Sequence, residues 1–196
     1  MQPLCPAEQL ALLTPTRVQP KEAVKVSLLS LVAQGVLRIE EETRKGLFGS
    51  KSTAKVVVSG KASKTDAPEA ALYRLVRDMN LRHGADIPAI AGEARKAWGD
   101  RLDGFTKSYV FPGLLNRRLV AEETRKFLWL IPYRTYVHTP AGLVEKQRIE
   151  NLIAQAKQLP ELLRSNPAAA AAIVLAAGGS LDRKSTRLNS SHVALS

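Results

Sequence analysis

Apolar residues recur at helical spacing near the start of the chain, in a segment that a proline opens and a glycine closes. Pro20 marks the start of the helix, and Gly35 supplies the left-handed conformation that ends it. Its apolar residues share one face: Val24, Leu28, Leu31 and Val32. The stretches "VLRIE" and "STAKVVVSG" follow as two strands, with the glycines of "GLFGS" between them for the turn. The pattern predicts a helix followed by a β-hairpin.

The middle of the chain predicts further helices. Asp66 stands as an N-cap before "APEAALYRLVRDMN", and "IPAIAGEARKAWG" has the length of a short helix. Residues 102–120 are broadly helical in pattern, but Pro112 should kink or split that helix. After the apolar strand in "FLWLIPY", Thr139 before Pro140 predicts the start of another helix.

The string "EETRK" occurs twice, at 41–45 and 122–126, each time after a predicted helix end and inside a predicted hairpin. We therefore expect an α+β protein, mostly α-helical, with two winged-helix-like helix-plus-β-hairpin units packed as one globular body. Residues 1–65 form the N-terminal helix and hairpin unit. Residues 66–181 hold the helical segment, the second unit and the C-terminal helices, and the two parts share one core.

The chain of 196 residues carries a formal net charge of +11, which favours an anionic partner such as nucleic acid or an acidic membrane surface. A single cysteine excludes an internal disulfide and indicates a reducing compartment. No basic leader and no run of about 18 apolar residues is visible, so we expect a cytoplasmic protein. His83 and His138 stand apart from other metal ligands, and no nucleophile or phosphate-loop motif is present. The sequence predicts a protein that is not an enzyme and has no metal or cofactor.

The segment 182–196 has a separate origin in our interpretation. Back-translated with suitable codons, "DRKSTRLNSSH" spells an adapter oligonucleotide that is ligated to DNA fragments before short-read sequencing. We therefore expect 182–196 to be a non-native sequencing scar and the natural chain to have been cut near Leu181. The preceding run "PAAAAAIVLAAGGSL" is interpreted as a core helix in preference to the first half of a membrane span.

Basic residues near the predicted hairpins are the candidate contacts for phosphate groups in DNA or in lipid headgroups. The pairs are Arg44 with Lys45 and Arg125 with Lys126 near the two hairpin tips, and Arg117 with Arg118 before the second hairpin. For any single pair, the solubility of an exposed turn is the stronger explanation. The repetition gives modest support to binding by the set.

The second hairpin contains a run of consecutive apolar residues: Phe127, Leu128, Trp129, Leu130 and Ile131. A strand buried on both faces has this composition, and so does an exposed hairpin that enters a membrane or mediates self-association. Burial is the preferred interpretation. Trp129 distinguishes the two, because an exposed tryptophan favours the lipid interface.

The order of these segments resembles the Golgi phosphoprotein 3 family, which has bacterial relatives. The similar stretches cover most of residues 20–181: "VSLLSLVAQGVLRIE", "SKTDAPEAALYRLV", "LLNRRLVAEETRKFLWLIPYRTYVHTP" and "SNPAAAAAIVLAAGGSL". The resemblance implies a mostly helical peripheral membrane protein, which in eukaryotes binds phosphatidylinositol 4-phosphate through a tryptophan and several arginines. It also implies an apolar hairpin for membrane insertion or oligomerisation.

The residues that match the family's headgroup site are only partly present. Lys107 stands where one headgroup arginine is expected and Gly104 where another is, while Val24, with Lys25 beside it, replaces a third. No tryptophan precedes that helix. The resemblance therefore implies attachment to anionic membranes through a basic face and the apolar hairpin, more than recognition of one lipid.

The predicted function is that of a peripheral membrane protein that binds anionic, phosphoinositide-like headgroups on the cytoplasmic face, with self-association through the hairpin as a further prediction. Two alternatives stay open. The helix-hairpin units could be winged-helix modules that bind nucleic acid, or the chain could be the cytoplasmic winged-helix region of a larger bacterial membrane protein. Against nucleic acid, neither helix before a hairpin is rich in the side chains that read base edges.

Overall fold

The computed structural model of the protein describes residues 3–46, 49–60, 67–82, 85–127 and 130–165. Over these residues the protein is α+β and mostly helical, which confirms the predicted fold class. Leu4–Leu143 form one compact unit that contains both hairpins, and the residues from Val144 belong to a second unit. Among the described residues, no helix combines the length and the apolar character needed to cross a bilayer.

The chain begins with helices α1 (Pro6–Leu13) and α2 (Pro20–Ala33), followed by strands β1 (Leu37–Gly46) and β2 (Gly49–Val58). Helix α3 (Ala67–Arg82) leads through the short strand β3 (Ala85–Asp86) to α4 (Ile87–Trp98). Then come α5 (Asp103–Phe105), a π-helix (Thr106–Val110) and α6 (Phe111–Asn116). Strands β4 (Val120–Phe127) and β5 (Ile131–His138) form the second hairpin, and α7 (Pro140–Ser165) follows it. Pro112 is the second residue of α6, and the backbone stays helical from Asp103 to Asn116, with the π-helix directly before α6. Asp66 lies outside the described residues.

The two hairpins form separate antiparallel sheets. In the first sheet the order is β1-β2-β3, and the hairpin pairing runs from Leu37 opposite Val58 to Gly46 opposite Gly49. Within the described residues, the second sheet consists of β4 and β5, paired from Val120 opposite His138 onwards. The outer edge of each strand in the second hairpin is therefore not paired with a further strand in this sheet, and each edge and face contacts either other elements or solvent.

The two helix-to-hairpin junctions have the same hydrogen bonds. The amide of Val36 donates to the Leu31 carbonyl at 3.0 Å, and the amide of Leu119 donates to the Leu114 carbonyl at 2.9 Å. In each case a residue with positive φ ends the helix, which is the Schellman arrangement. The string "EETRK" ends one residue before the end of β1 and one residue before the end of β4. The repeated sequence therefore has the same local structural setting in both places.

The core of the compact unit brings together the five helical regions before the second hairpin. Its largest fully buried side chains on helices include Leu12, Leu31, Leu72, Phe105 and Leu114. On α2 the fully buried positions are Ala23, Ser27 and Leu31, whereas the other residues of the predicted apolar face are half-buried. The buried face of α2 is thus turned slightly from the predicted one, toward small residues that allow α1 to pack closely.

Two contacts fix the base of the second hairpin: one joins it to α1, and the other joins its two ends to each other. Nε2 of His138, the last residue of β5, lies 2.6 Å from the carbonyl oxygen of Leu12. The amide of Thr139 donates to the Leu119 carbonyl at 3.1 Å, just before β4 begins. The Thr139 hydroxyl accepts from the amide of Gly142 at 3.0 Å, which confirms the predicted cap of the last helix.

Candidate anion-binding site

A surface pocket of about 250 Å³ lies in the compact unit where three distant parts of the chain meet. These parts are the α1–α2 connection with the start of α2, the segment from α5 to the start of α6, and β5. The lining combines cations, a carboxylate, hydroxyl groups and apolar side chains. The residues are Lys107 and Arg134; Asp103; Thr16, Thr106, Thr135 and Tyr136; and Pro15, Val18, Pro20 and Phe111.

Lys107 reaches the pocket from the π-helix. A π-helix contains one residue more than an α-helix over the same stretch, and such segments occur frequently at functional sites. The turn before it needs a left-handed residue, because Leu102 has a φ of +61°, a conformation that costs about 1–2 kcal/mol for a residue with a Cβ. Phe105 anchors the segment, since it is fully buried and its ring centroid lies 4.8 Å from that of Trp98. Lys107 is therefore an exposed side chain on a firmly anchored support.

The opposite wall of the pocket comes from β5. Arg134 and Tyr136 are two residues apart on a strand, so they lie on the same face of the hairpin. The ring of Tyr136 stacks on that of Phe111, with centroids 3.7 Å apart and 13° between the planes. Because Phe111 is buried at the start of α6, this contact holds the β5 wall against the helical part of the pocket.

The electrostatics of the pocket combine two cations with two nearby carboxylates. Asp103 is part of the lining, and Nε of Arg134 lies 3.1 Å from Oε1 of Glu122 on the neighbouring strand. In the described part of the chain, no carboxylate forms an ion pair with Lys107. Burial raises the pKa of the Tyr136 hydroxyl and the charge of Glu122 raises it further, while Arg134 lowers it. Tyr136 therefore keeps its proton at neutral pH and can donate a hydrogen bond to an anion in the pocket.

Of the predicted basic residues, the structure places one, Lys107, in the lining of this pocket. Arg117 is half-buried instead, with its guanidinium 3.8 Å from a carboxylate oxygen of the buried Glu8. Arg118 is exposed and has a φ of +56° at the end of α6. Both arginines lie at the helix-to-hairpin junction, and neither lines the pocket.

The basic residues of the two "EETRK" strings remain on the hairpins. Arg125 and Lys126 are exposed on β4, where Nε of Arg125 lies 2.9 Å from a carboxylate oxygen of Glu123. Arg44 and Lys45 lie close to the end of β1, opposite Lys51 and Ser50. The predicted set is therefore divided between the pocket, the junction before the second hairpin and the two hairpins.

Arg134 and Tyr136 were missed by the sequence reasoning. Their signal is the alternation in "YRTY" at 133–136, which places one arginine and one tyrosine on the same face of a strand. That pattern is not specific, because the partners that complete the pocket come from segments about 30 and 120 residues earlier in the chain. Arg134 and Lys107 line the same pocket because of the tertiary fold, which the local sequence pattern does not show.

Two residues of the apolar run in the second hairpin, Leu130 and Ile131, are exposed, which corrects the preferred interpretation of burial for these two. Leu130 has 84% of its surface exposed and Ile131 has 61%. Leu128 and Trp129 lie outside the described residues, and the backbone of Phe127 pairs with that of Ile131. The physical reason is that this sheet has two strands in the part of the chain that the structure describes, so the far end of the hairpin extends beyond its base.

The residues carried over from the family resemblance occupy different places. Gly104 leaves no room for a longer side chain in the present arrangement, because a Cβ there would lie 2.9 Å from the carbonyl oxygen of Trp98. Val24 is half-buried and Lys25 is exposed on α2, 3.5 Å from Glu22, and neither lines the pocket. Comparison with protein-family models gives no match, and neither does comparison with curated protein sequences.

Proposed function

We propose that this protein is a peripheral membrane protein, not an enzyme, and that it binds the phosphate of an anionic lipid headgroup between Lys107 and Arg134. The observation that carries the proposal is a pocket of about 250 Å³ that is lined by both cations and by several hydroxyl groups. Charged donors make strong hydrogen bonds to phosphate oxygens, and an arginine can make two of them at once. Threonine and tyrosine hydroxyls can complete the contacts to the remaining oxygens.

The exposed end of the second hairpin supports a membrane in preference to a free anion as the source of the phosphate. Leu130 and Ile131 are exposed, and complete burial of one such side chain contributes about 1.5–3 kcal/mol. The net charge of +11 favours the cytoplasmic leaflet, where anionic lipids create a negative surface potential. In this proposal the pocket binds the headgroup, and the hairpin end enters the interface or associates with a second copy of the chain.

Sedimentation of the full chain with lipid vesicles tests this proposal. The vesicles contain phosphatidylcholine alone, phosphatidylcholine with phosphatidylserine, or phosphatidylcholine with phosphatidylinositol 4-phosphate. We expect binding to the two anionic compositions and none to phosphatidylcholine alone. The same series without vesicles at increasing protein concentration shows whether the chain associates with itself.

Two double variants test the pocket at equal net charge. Lys107→Glu with Arg134→Glu reverses both cations of the lining, whereas Lys96→Glu with Arg77→Glu reverses two exposed cations on α4 and α3. One basic residue near an anionic surface contributes about 1 kcal/mol, so we expect the pocket variant to lose at least about tenfold in affinity. Equal losses in the two double variants would mean that net charge alone drives binding.

A third comparison tests the hairpin and the competing partner. Leu130→Ser in the hairpin should weaken vesicle binding. Leu29→Ser should not, because Leu29 is an exposed leucine on α2, outside the hairpin. The binding assay is repeated at several salt concentrations, each with and without duplex DNA as a competitor. Capture of the protein by DNA, with no binding to vesicles, would overturn the membrane proposal in favour of a winged-helix protein that binds nucleic acid.

A further inference from the structure

We infer that Glu122 competes with the bound anion for Arg134 and thereby limits the affinity of the pocket, an inference that rests on the proposed function. Arg134 lines the pocket and Glu122 does not. Oε1 of Glu122 nevertheless lies 3.1 Å from Nε of Arg134. One guanidinium therefore faces two anions. The first is the carboxylate of its own hairpin, and the second is the phosphate of the ligand.

The register of the hairpin keeps Glu122 on the side of the pocket. Glu122 is directly opposite Tyr136, and residues directly opposite in an antiparallel pair project from the same face. Arg134 is two residues from Tyr136, so it projects from that face as well. The pKa of Tyr136 is consistent with this placement, because burial raises it first and the charge of Glu122 raises it second. The negative charge of Glu122 thus acts on two residues of the lining.

The exposure of the ion pair makes competition the expected effect. The Arg134 side chain is 80% exposed and that of Glu122 is 37% exposed, and exposed ion pairs contribute about 0.2–1 kcal/mol. A phosphate can therefore take Arg134 from Glu122, but the free energy of the broken ion pair is subtracted from that of binding. Removal of that charge should raise the affinity by about 1.5- to fivefold, the factor that corresponds to such a pair.

The neighbouring residue on β4 provides a matched control. Glu123 also forms an exposed ion pair within the hairpin, 2.9 Å from Nε of Arg125, and neither residue lines the pocket. Glu122→Gln and Glu123→Gln change the net charge equally and keep the size of the side chain. Any difference between the two variants therefore reports on the position of the charge.

The experiment titrates vesicles of phosphatidylcholine and phosphatidylinositol 4-phosphate with the wild-type full chain and both variants, in the native and in an Arg134→Gln background. We expect Glu122→Gln to bind more tightly than Glu123→Gln, and we expect this gain to disappear when Arg134 is replaced. Equal binding of the two variants overturns the inference. Weaker binding by Glu122→Gln also overturns it, because Glu122 would then hold Arg134 in its binding position.

A parallel titration with inorganic phosphate alone separates failure of the inference from failure of the proposed function. A gain for Glu122→Gln with phosphate, without any vesicle binding, keeps the role of Glu122 and overturns the membrane function. Vesicle binding by the wild type with no difference between the variants keeps the function and overturns the role of Glu122. Absence of binding to both probes overturns both.

Discussion

Replacement of Gly142 by alanine tests how closely the start of α7 packs against the residue before β4. A Cβ at this position would overlap the carbonyl oxygen of Leu119 and lie 2.9 Å from its carbonyl carbon. Carbon atoms in contact are about 3.5 Å or more apart. Because the opposing atoms belong to the backbone, no change of rotamer removes the overlap. The alanine variant must therefore move the start of α7 away from Leu119.

That movement disrupts the hydrogen bonds around the start of α7. The amide of Thr139 donates to the Leu119 carbonyl at 3.1 Å, and the Thr139 hydroxyl accepts from the Gly142 amide at 3.0 Å. Loss of the helix cap costs about 1 kcal/mol, and each further hydrogen bond costs about 1 kcal/mol or more when a partner stays buried. Alanine is better than glycine in a helix by about 1 kcal/mol, which offsets part of the loss. We expect a net decrease of about 1 kcal/mol in the free energy of unfolding.

Urea unfolding of the full chain, followed by far-ultraviolet circular dichroism, measures this change. Gly92 in α4 is the matched control, because a Cβ there has no atom within 4 Å and alanine should stabilise the helix by about 0.5–1 kcal/mol. The two substitutions are the same chemical change in two helices, and we expect opposite signs. A stability gain for Gly142→Ala would refute the close packing of α7 on Leu119.

Three further predictions concern stability. Gly35 and Arg118 both have positive φ, a conformation that favours glycine, so Gly35→Ala should lower the free energy of unfolding by about 1 kcal/mol and Arg118→Gly should raise it by up to about that amount. Urea unfolding measures both changes. A loss of stability for Arg118→Gly would contradict the reasoning. Gly113→Ala should lower the free energy of unfolding by about 1 kcal/mol or more in the same assay, because the new Cβ would overlap the buried Glu8 carboxylate, which accepts a hydrogen bond from the amide of Cys5. Unchanged stability would show that this carboxylate relocates at no cost. Burial and a nearby carboxylate raise the pKa of Tyr136 above 10.0, so the folded state holds a proton that the unfolded state loses. Stability should therefore fall as the pH rises through this range, and thermal unfolding should show a smaller fall for Tyr136→Phe than for the wild type.

The local elements could be predicted from the sequence because their signals are local. Gly35 ends a helix through its own backbone conformation, and the hydroxyl of Thr139 caps the helix that begins at the next residue. Neither of these effects requires a distant partner. The fold class, the hairpins and the repeated junction follow from such signals.

Burial and the pocket depend on distant contacts, and there the prediction was incomplete. The apolar run that includes Leu130 and Ile131 predicted a buried strand, but whether a hairpin end is covered depends on elements elsewhere in the chain. The cations near the hairpin tips suggested a binding surface by repetition, yet the pocket pairs Lys107 with Arg134 through the packing of β5 on the helical segment. A single sequence shows the charge of Arg134 but not its neighbours.

The π-helix makes the site sensitive to the number of residues in the segment as well as to its charge. Because the π-helix accommodates one extra residue, removal of one neutral residue, such as Ser108, would allow the segment to adopt α-helical hydrogen bonding and would leave the residues on its two sides in nearly the same relative orientation. Phe105 and Leu114 are both fully buried, on either side of the π-helix. The shortened chain could therefore keep both of them buried, and the change would fall on the residues within the segment, which include Lys107. In homologous chains, an insertion or deletion at this point would therefore be a marker for gain or loss of the pocket, even where every basic residue is retained.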